Sequence, residues 1–233
     1  MQRLRSAYHY FTRGEKLLWL SSVVLIVGSY LFFQSNDPLT LCASLVGVTS
    51  LIFNARGNPF GQFLMLIFSA LYGIISYTFA YYGEMITYLG MTAPMALAAL
   101  ISWLRHPFAG KACEVEVNHL PRREVPLMLA LTVVVTAAFY FILAALHTAN
   151  LLPSTVSVTT SFLAVYLTFR RSAYYALAYA ANDVVLIVLW TLASMEDASY
   201  LSVLVCFAVF LVNDLYGFLN WRRMQARQAA ARG

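Results

Sequence analysis

Eight apolar runs, each close to the length of a bilayer crossing, constrain this chain more than anything else in it. They occupy roughly 17–33, 39–55, 60–81, 85–104, 125–146, 151–169, 173–193 and 199–221. A spanning helix needs about 20 predominantly apolar residues, and lipid offers backbone groups no partner outside their own segment or a closed barrel. Soluble domains are about 45–50% apolar and about 25% charged. This chain of 233 residues is 61% apolar and 11% charged. It therefore reads as an all-α, polytopic integral membrane protein with no room for a separate soluble domain. The connections are short and polar, except for one at 105–124.

The basic residues set the orientation. All 15 fall on one side: before the first span (Arg3, Arg5, Arg13, Lys16), after the second (Arg56), in the long connection (Arg105, Lys111, Arg122, Arg123), after the sixth (Arg170, Arg171) and after the last (Arg222, Arg223, Arg227, Arg232). The opposite turns carry Asp37, Glu84, Glu196 and Asp197 and no base. The positive-inside rule places both termini and the long connection in the cytoplasm. It also accounts for the net charge of +5, so no nucleic-acid partner is implied; the partner of the basic tails is the lipid bilayer. The first run has no A-x-A-like cleavage site before the next loop and reads as a retained helix.

Spans two to four and six to eight look like copies. Ala55-Arg56-Gly57-Asn58-Pro59 matches Phe169-Arg170-Arg171-Ser172-Ala173, and Ile101-Ser102-Trp103-Leu104-Arg105 matches Leu219-Asn220-Trp221-Arg222-Arg223. Three spans is an odd number, so one intervening helix, span five, restores the orientation of the second copy. That plan places a substrate site at the interface of parallel repeats. The units are 1–34 (tail and extra helix), 39–104 (first bundle), 105–146 (loop and linker helix), 151–221 (second bundle) and 222–233 (basic tail). Span five is almost wholly apolar and should face lipid or a neighbouring subunit.

Carboxylates at membrane depth are costly and normally face a cavity or a partner. Asp183 and Asp214 are the two inside spans, each after an asparagine, Asn182 and Asn213. Helical spacing puts Tyr179, Asn182, Asp183 and Trp190 on one face of span seven, and Asn213, Tyr216 and Asn220 in a stripe on span eight. Gln62 and Tyr72 share a face of span three, and Tyr88 lies near Pro94, where the fourth helix should kink. The hydroxyls of span six, Ser154 to Ser161, suit helix packing. Amides, carboxylates and aromatic faces together suit a neutral or cationic aromatic solute bearing hydroxyls.

Several classes drop out. All four histidines lie outside the spans, against haem ligation in the bundle. The lysines are Lys16 and Lys111, so no buried Schiff base is available. There is no P-loop, no cysteine pattern for a metal or disulfide framework, and no nucleophile cluster at depth. The expectation is a transporter, not an enzyme, with no cofactor.

Gly57-Asn58-x-x-Gly61, Leu71-Tyr72, Tyr77, Tyr82-Gly83-Glu84-Met85, Pro94 and Trp103 resemble the first half of the PnuC-type nicotinamide riboside transporters. Asp183 to Trp190 and Asn220-Trp221-Arg222 resemble the second half. The resemblance implies two parallel three-helix bundles joined by a linker helix, a relation to the SWEET sugar transporters, and an extra N-terminal helix. It further implies facilitated diffusion of a vitamin nucleoside across the bacterial inner membrane, trapping by a cytoplasmic kinase, and a homotrimer. The family's substrate helix reads Trp-x-x-Trp-x-x-x-Asn; the matching positions here are Ala176, Tyr179 and Asp183. The alternatives are another B-vitamin such as thiamine, a proton- or sodium-coupled carrier, and a non-transporting scaffold or sensor. A scaffold should pair every polar residue of these stripes and leave no cavity at mid-depth.

Overall fold

The computed structural model describes residues 10–33, 37–78, 82–148, 150–195 and 197–232; Arg3, Arg5, His9, Gln34 and Glu196 lie outside them. Eight helices long and apolar enough to span a membrane run through the described residues: α1 (Arg13–Phe32), α2 (Pro38–Ala55), α3 (Pro59–Thr78), α4 (Tyr82–Arg105), α5 (Val125–Ala145), α6 (Leu151–Phe169), α7 (Tyr175–Ser194) and α8 (Leu201–Ala230). Their starts follow local chemistry. Thr12 and Glu15 form a capping box that begins α1 about a turn before its apolar run. Asp37 caps α2 ahead of Pro38, and the Asn58 side chain accepts from Phe60 N–H at the start of α3.

Two elements differ from the sequence expectation in detail. The kink expected at Pro94 takes the form of a π-helical stretch within α4, Thr87–Thr92, ending in front of the proline. Ala93 N–H bonds back to Tyr88 O, one residue further than an α-helix reaches, and Pro94 has no N–H to restore the α register. The last helix runs on past 221 to Ala230, because Met224 and Gln228 find buried positions beneath the long connection.

That connection is folded. Pro107–Phe108 (β1) and Lys111–Val115 (β2) pair antiparallel around Ala109 and Gly110, both at positive φ, as a two-residue hairpin turn demands. Val115 and Val117 are buried with Trp103, Tyr175, Trp221 and Met224.

The helices pack as two sets, α2–α3–α4 and α6–α7–α8, which meet along α2 against α8 and α4 against α6. The contacts at the basic end are reciprocal. Trp103 Nε1 of α4 donates to Thr168 O at the end of α6 (2.9 Å), and Trp221 Nε1 of α8 donates to Asn54 O at the end of α2 (2.8 Å). One position earlier in each helix, Ser102 Oγ donates to Phe169 O and Asn220 Nδ2 to Ala55 O. The turns that follow also correspond: Gly57 and Arg171 both take positive φ. The long connection ties both turns, with Val115 N–H donating to Gly57 O and Asn118 N–H to Arg171 O, each at 2.9 Å. Gly61 permits the tight start of α3, since a Cβ there would lie 2.6 Å from Asn54 N.

α1 packs on α2 and α8 outside the paired sets. α5 joins the sets and leaves Leu127, Leu129, Val133, Val134 and Phe141 exposed, an apolar flank suited to lipid.

Candidate functional site

At mid-depth, between the two sets, lies a small cavity of about 40 Å³. All six helices of the two sets line it. Gly47 and Leu51 come from α2, Met65 and Phe68 from α3, Tyr88 and Thr92 from the π-helical stretch of α4, and Ser161 from α6. Tyr179, Asn182, Asp183 and Leu186 come from α7, and Phe207, Phe210 and Asp214 from α8. The π turn presents Tyr88 and Thr92 to the cavity, a common use of this geometry at functional sites.

The polar chemistry is concentrated on α7 and α8. Asp183 and Asp214 are each 4% exposed, and their carboxyl groups lie within hydrogen-bonding reach of one another. Asp183 Oδ2 has no hydrogen-bond donor in the structure. No lysine or arginine lines the cavity. Asn182 is fixed from α6: its Oδ1 accepts from Ser157 (3.2 Å), Thr160 (2.8 Å) and Ser161 (3.1 Å). The hydroxyls of α6 thus have a specific task alongside packing.

Five residues singled out by sequence meet here: Tyr88, Tyr179, Asn182, Asp183 and Asp214. The other five lie elsewhere. Gln62 donates to Asn54 Oδ1 at 2.8 Å, bracing the α2–α3 turn. Tyr72 sits behind Tyr88, ring centroids 4.5 Å apart, and its hydroxyl is within reach of Trp190. Trp190 packs against Tyr200 at 5.5 Å, toward the acidic end. Asn213 donates to Ser22 Oγ (2.9 Å) and so faces α1. Asn220 holds the end of α2.

Aromatic layers close the cavity at both ends. On the basic side, Tyr179 leads to Tyr175 (6.2 Å), and Tyr175 to Trp221 (4.8 Å) and Trp103 (6.3 Å). On the other side, Tyr88 and Phe207 are backed by Tyr72. The side walls are also tight. A Cβ on Gly47 would lie 2.5 Å from Phe210 Cζ and 3.1 Å from Phe68 Cδ2.

Sequence reading missed Gly47, Phe68, Phe207 and Phe210. The last two were legible, since Phe207, Phe210 and Asp214 recur at i, i+3 and i+7. Reading the face of α8 from Asp214 instead of Asn213 finds them. Gly47 carries no signal in an apolar run.

Residues 37–223 match the family described as "Nicotinamide mononucleotide transporter". A relative from Neisseria mucosa, "Nicotinamide riboside transporter PnuC", is 28% identical over 219 residues, covering 91% of this chain and 82% of that protein. A solved structure, "Crystal structure of the Vitamin B3 transporter PnuC", superposes with a TM-score of 0.80 at 26% identity, covering 94% of each chain. These proteins are membrane transporters and not enzymes. With the family's pattern running through both helix sets and through the cavity between them, this chain belongs to the nicotinamide mononucleotide transporter family.

Proposed function

We propose that this protein carries nicotinamide riboside, or a closely similar cationic vitamin nucleoside, across the bacterial inner membrane by facilitated diffusion, binding it in the cavity between the two helix sets. The observation that carries the reading is the Asp183–Asp214 pair, two buried carboxyl groups with no basic partner, set among Tyr88, Tyr179 and phenylalanine rings. A pyridinium ring supplies the missing positive charge and gains from aromatic faces. Ribose hydroxyls suit the amide of Asn182, whose carbonyl α6 already holds, leaving its N–H donors for a ligand. The names of the relatives support the same cargo. A mid-depth cavity lined by a carboxyl oxygen that has no donor speaks against a scaffold that pairs all its polar groups.

At about 40 Å³ the cavity is far below the roughly 300 Å³ of sites that hold small molecules, so this is a closed form. Admitting cargo requires Phe68, Phe210 and Tyr88 to move. Both termini face the cytoplasm in this reading, a cytoplasmic kinase traps the cargo by phosphorylation, the exposed flank of α5 fits a homotrimer, and the helix plan is that of the SWEET carriers. Thiamine, also cationic, is a second reading, favoured by Ala176 and Tyr179 standing where the family has tryptophans and Asp183 where it has asparagine.

The direct test is titration of purified protein with nicotinamide riboside, thiamine, riboflavin and neutral nucleosides, followed by uptake into proteoliposomes. Nicotinamide riboside should bind best and should equilibrate across the membrane without an ion gradient. Accumulation that collapses with an ionophore would replace facilitated diffusion with coupled transport. Gly47→Leu should abolish binding while the protein still folds, because its side chain must displace Phe210 and Phe68 into the cavity; intact binding would move the site. For orientation, a membrane-impermeant maleimide should label Met195→Cys in intact cells and reach native Cys113 only after permeabilisation. The reverse pattern would invert the topology.

A further inference from the structure

Orientation alone explains why bases gather at the inner end, but not why four of them surround one cavity. A second cavity, of about 740 Å³, opens there between the start of α1, the α2–α3 turn, β2 and the last turns of α8. Arg56, Lys111, Arg223 and Arg227 line it, with Glu15 and Glu114. Each carboxylate is committed: Glu15 to Arg56 at 2.9 Å and Glu114 to Arg227 at 2.5 Å. Burial works against the charge of Arg56, but its ion pair with Glu15 and its contact with Tyr10 together raise its pKa above the ordinary value. Lys111 and Arg223 have no carboxylate partner among the described residues. The cavity thus carries two unbalanced positive charges, one on the hairpin and one on α8.

We propose that this inner cavity binds a phosphate-bearing ligand of nucleotide size, with Lys111 and Arg223 taking the phosphate from two sides. A phosphate monoester carries close to two negative charges at neutral pH, matching the surplus. The volume lies within the roughly 300–1,000 Å³ of small-molecule sites, well beyond what inorganic phosphate fills. The tyrosine hydroxyls of Tyr10 and Tyr216 and the amide of Asn220 add polar groups to the wall.

Occupancy has a mechanical consequence. Gln228 already joins α8 to the hairpin through Val117 N–H, Val115 O and Glu114. A phosphate bridging Lys111 to Arg223 fastens the same two elements again, over the layer of Trp103, Trp221 and Val115 that closes the inner end. Bound ligand therefore holds that end shut and slows release of cargo. That effect on transport rests on the proposed function; binding itself does not.

The test uses the purified full-length protein in neutral detergent, with adenosine 5′-monophosphate, adenosine and dihexanoyl phosphatidylglycerol as probes. Adenosine 5′-monophosphate should bind by calorimetry and slow maleimide labelling of Cys113, which lines this cavity, but not of Cys42. Hydrogen bonds to charged groups imply that the Lys111→Ala, Arg223→Ala double variant weakens binding about 10-fold or more. Both residues are exposed, and the variant should retain its melting temperature and its affinity for cargo. If the phospholipid binds with the same dependence on Lys111 and Arg223 and the nucleotide does not, the phosphate comes from a lipid headgroup. Absence of binding by either phosphate probe, equal binding of adenosine, or binding indifferent to the double variant would overturn the proposal. Because cargo affinity is measured in the same preparations, failure of the inner site is distinguishable from failure of the mid-depth one.

Discussion

Replacing both mid-depth carboxylates, Asp183→Asn with Asp214→Asn, is expected to weaken binding of nicotinamide riboside by roughly 10- to 150-fold, the worth of about 1.5–3 kcal/mol for a hydrogen bond to a charged group. Each single substitution should cost much less, because the other carboxyl group stays beside the ligand. The two positions share one environment, so their effects should not add. Asparagine keeps the shape of aspartate while exchanging one acceptor oxygen for an uncharged amide donor, and the double variant therefore reads charge and hydrogen bonding more than packing. A neutral nucleoside that binds at all should bind both forms alike. Titration of wild type, both singles and the double by calorimetry gives the full cycle. Unchanged affinity in the double variant would show that the pair only holds α7 to α8, and would remove the argument for a cationic cargo.

Trp221→Ala should destabilise the fold by about 3–5 kcal/mol, the usual cost of truncating a buried tryptophan. Trp221 is fully buried, its ring lies 4.8 Å from Tyr175 and 5.3 Å from Trp103, and its indole N–H satisfies Asn54 O. Trp103→Ala should cost a similar amount, since it makes the matching bond to Thr168 O. For a chain of this size the loss corresponds to a fall in melting temperature of about 6–20 °C. Phenylalanine at either position keeps most of the packing and loses one hydrogen bond, costing about 0.5–1.5 kcal/mol, because Asn54 O and Thr168 O still accept from Gly57 N–H and Arg171 N–H. Thermal unfolding in detergent, followed by scanning fluorimetry, checks all four variants. Loss at one tryptophan with indifference at the other would contradict the equivalence of the two halves.

The helices were legible because hydropathy reports directly on what lipid requires of a backbone, and the spans fell within a few residues of the observed helices except at the end of α8, which runs on to Ala230. The helix starts were partly legible too, in Thr12-x-x-Glu15 and Asp37-Pro38. The hairpin at 107–115 was not. Its burial of Val115 and Val117 depends on tryptophans far away in sequence, and its strands are too short for a periodic signal. Within the site, Asp183 and Asn182 stood out because polar groups at depth are rare. Which of the other polar residues join them did not. Gln62, Asn213 and Asn220 are equally polar, and nothing local tells an amide that braces a helix end from one that faces a cavity. That distinction comes from how the helices turn against each other, as does the contribution of Gly47, whose only distinction is how closely Phe210 approaches it.

The reciprocal tryptophan bonds make the contact between halves isologous, the kind of interface found in a twofold homodimer. In effect the chain is two subunits fused through α5, each half closing the other's helix end. A fusion of this sort leaves the connector few obligations beyond length and solubility in lipid, which is how α5 reads. It also predicts where symmetry has been lost. The hairpin clasps Gly57 and Arg171, twin positions, from a single strand of chain that has no twin of its own among the described residues. A carrier built of equal halves has no intrinsic reason to treat one half differently from the other; the hairpin supplies it, and Lys111, which has no ion-pair partner among the described residues, places that asymmetry at the basic end of the molecule.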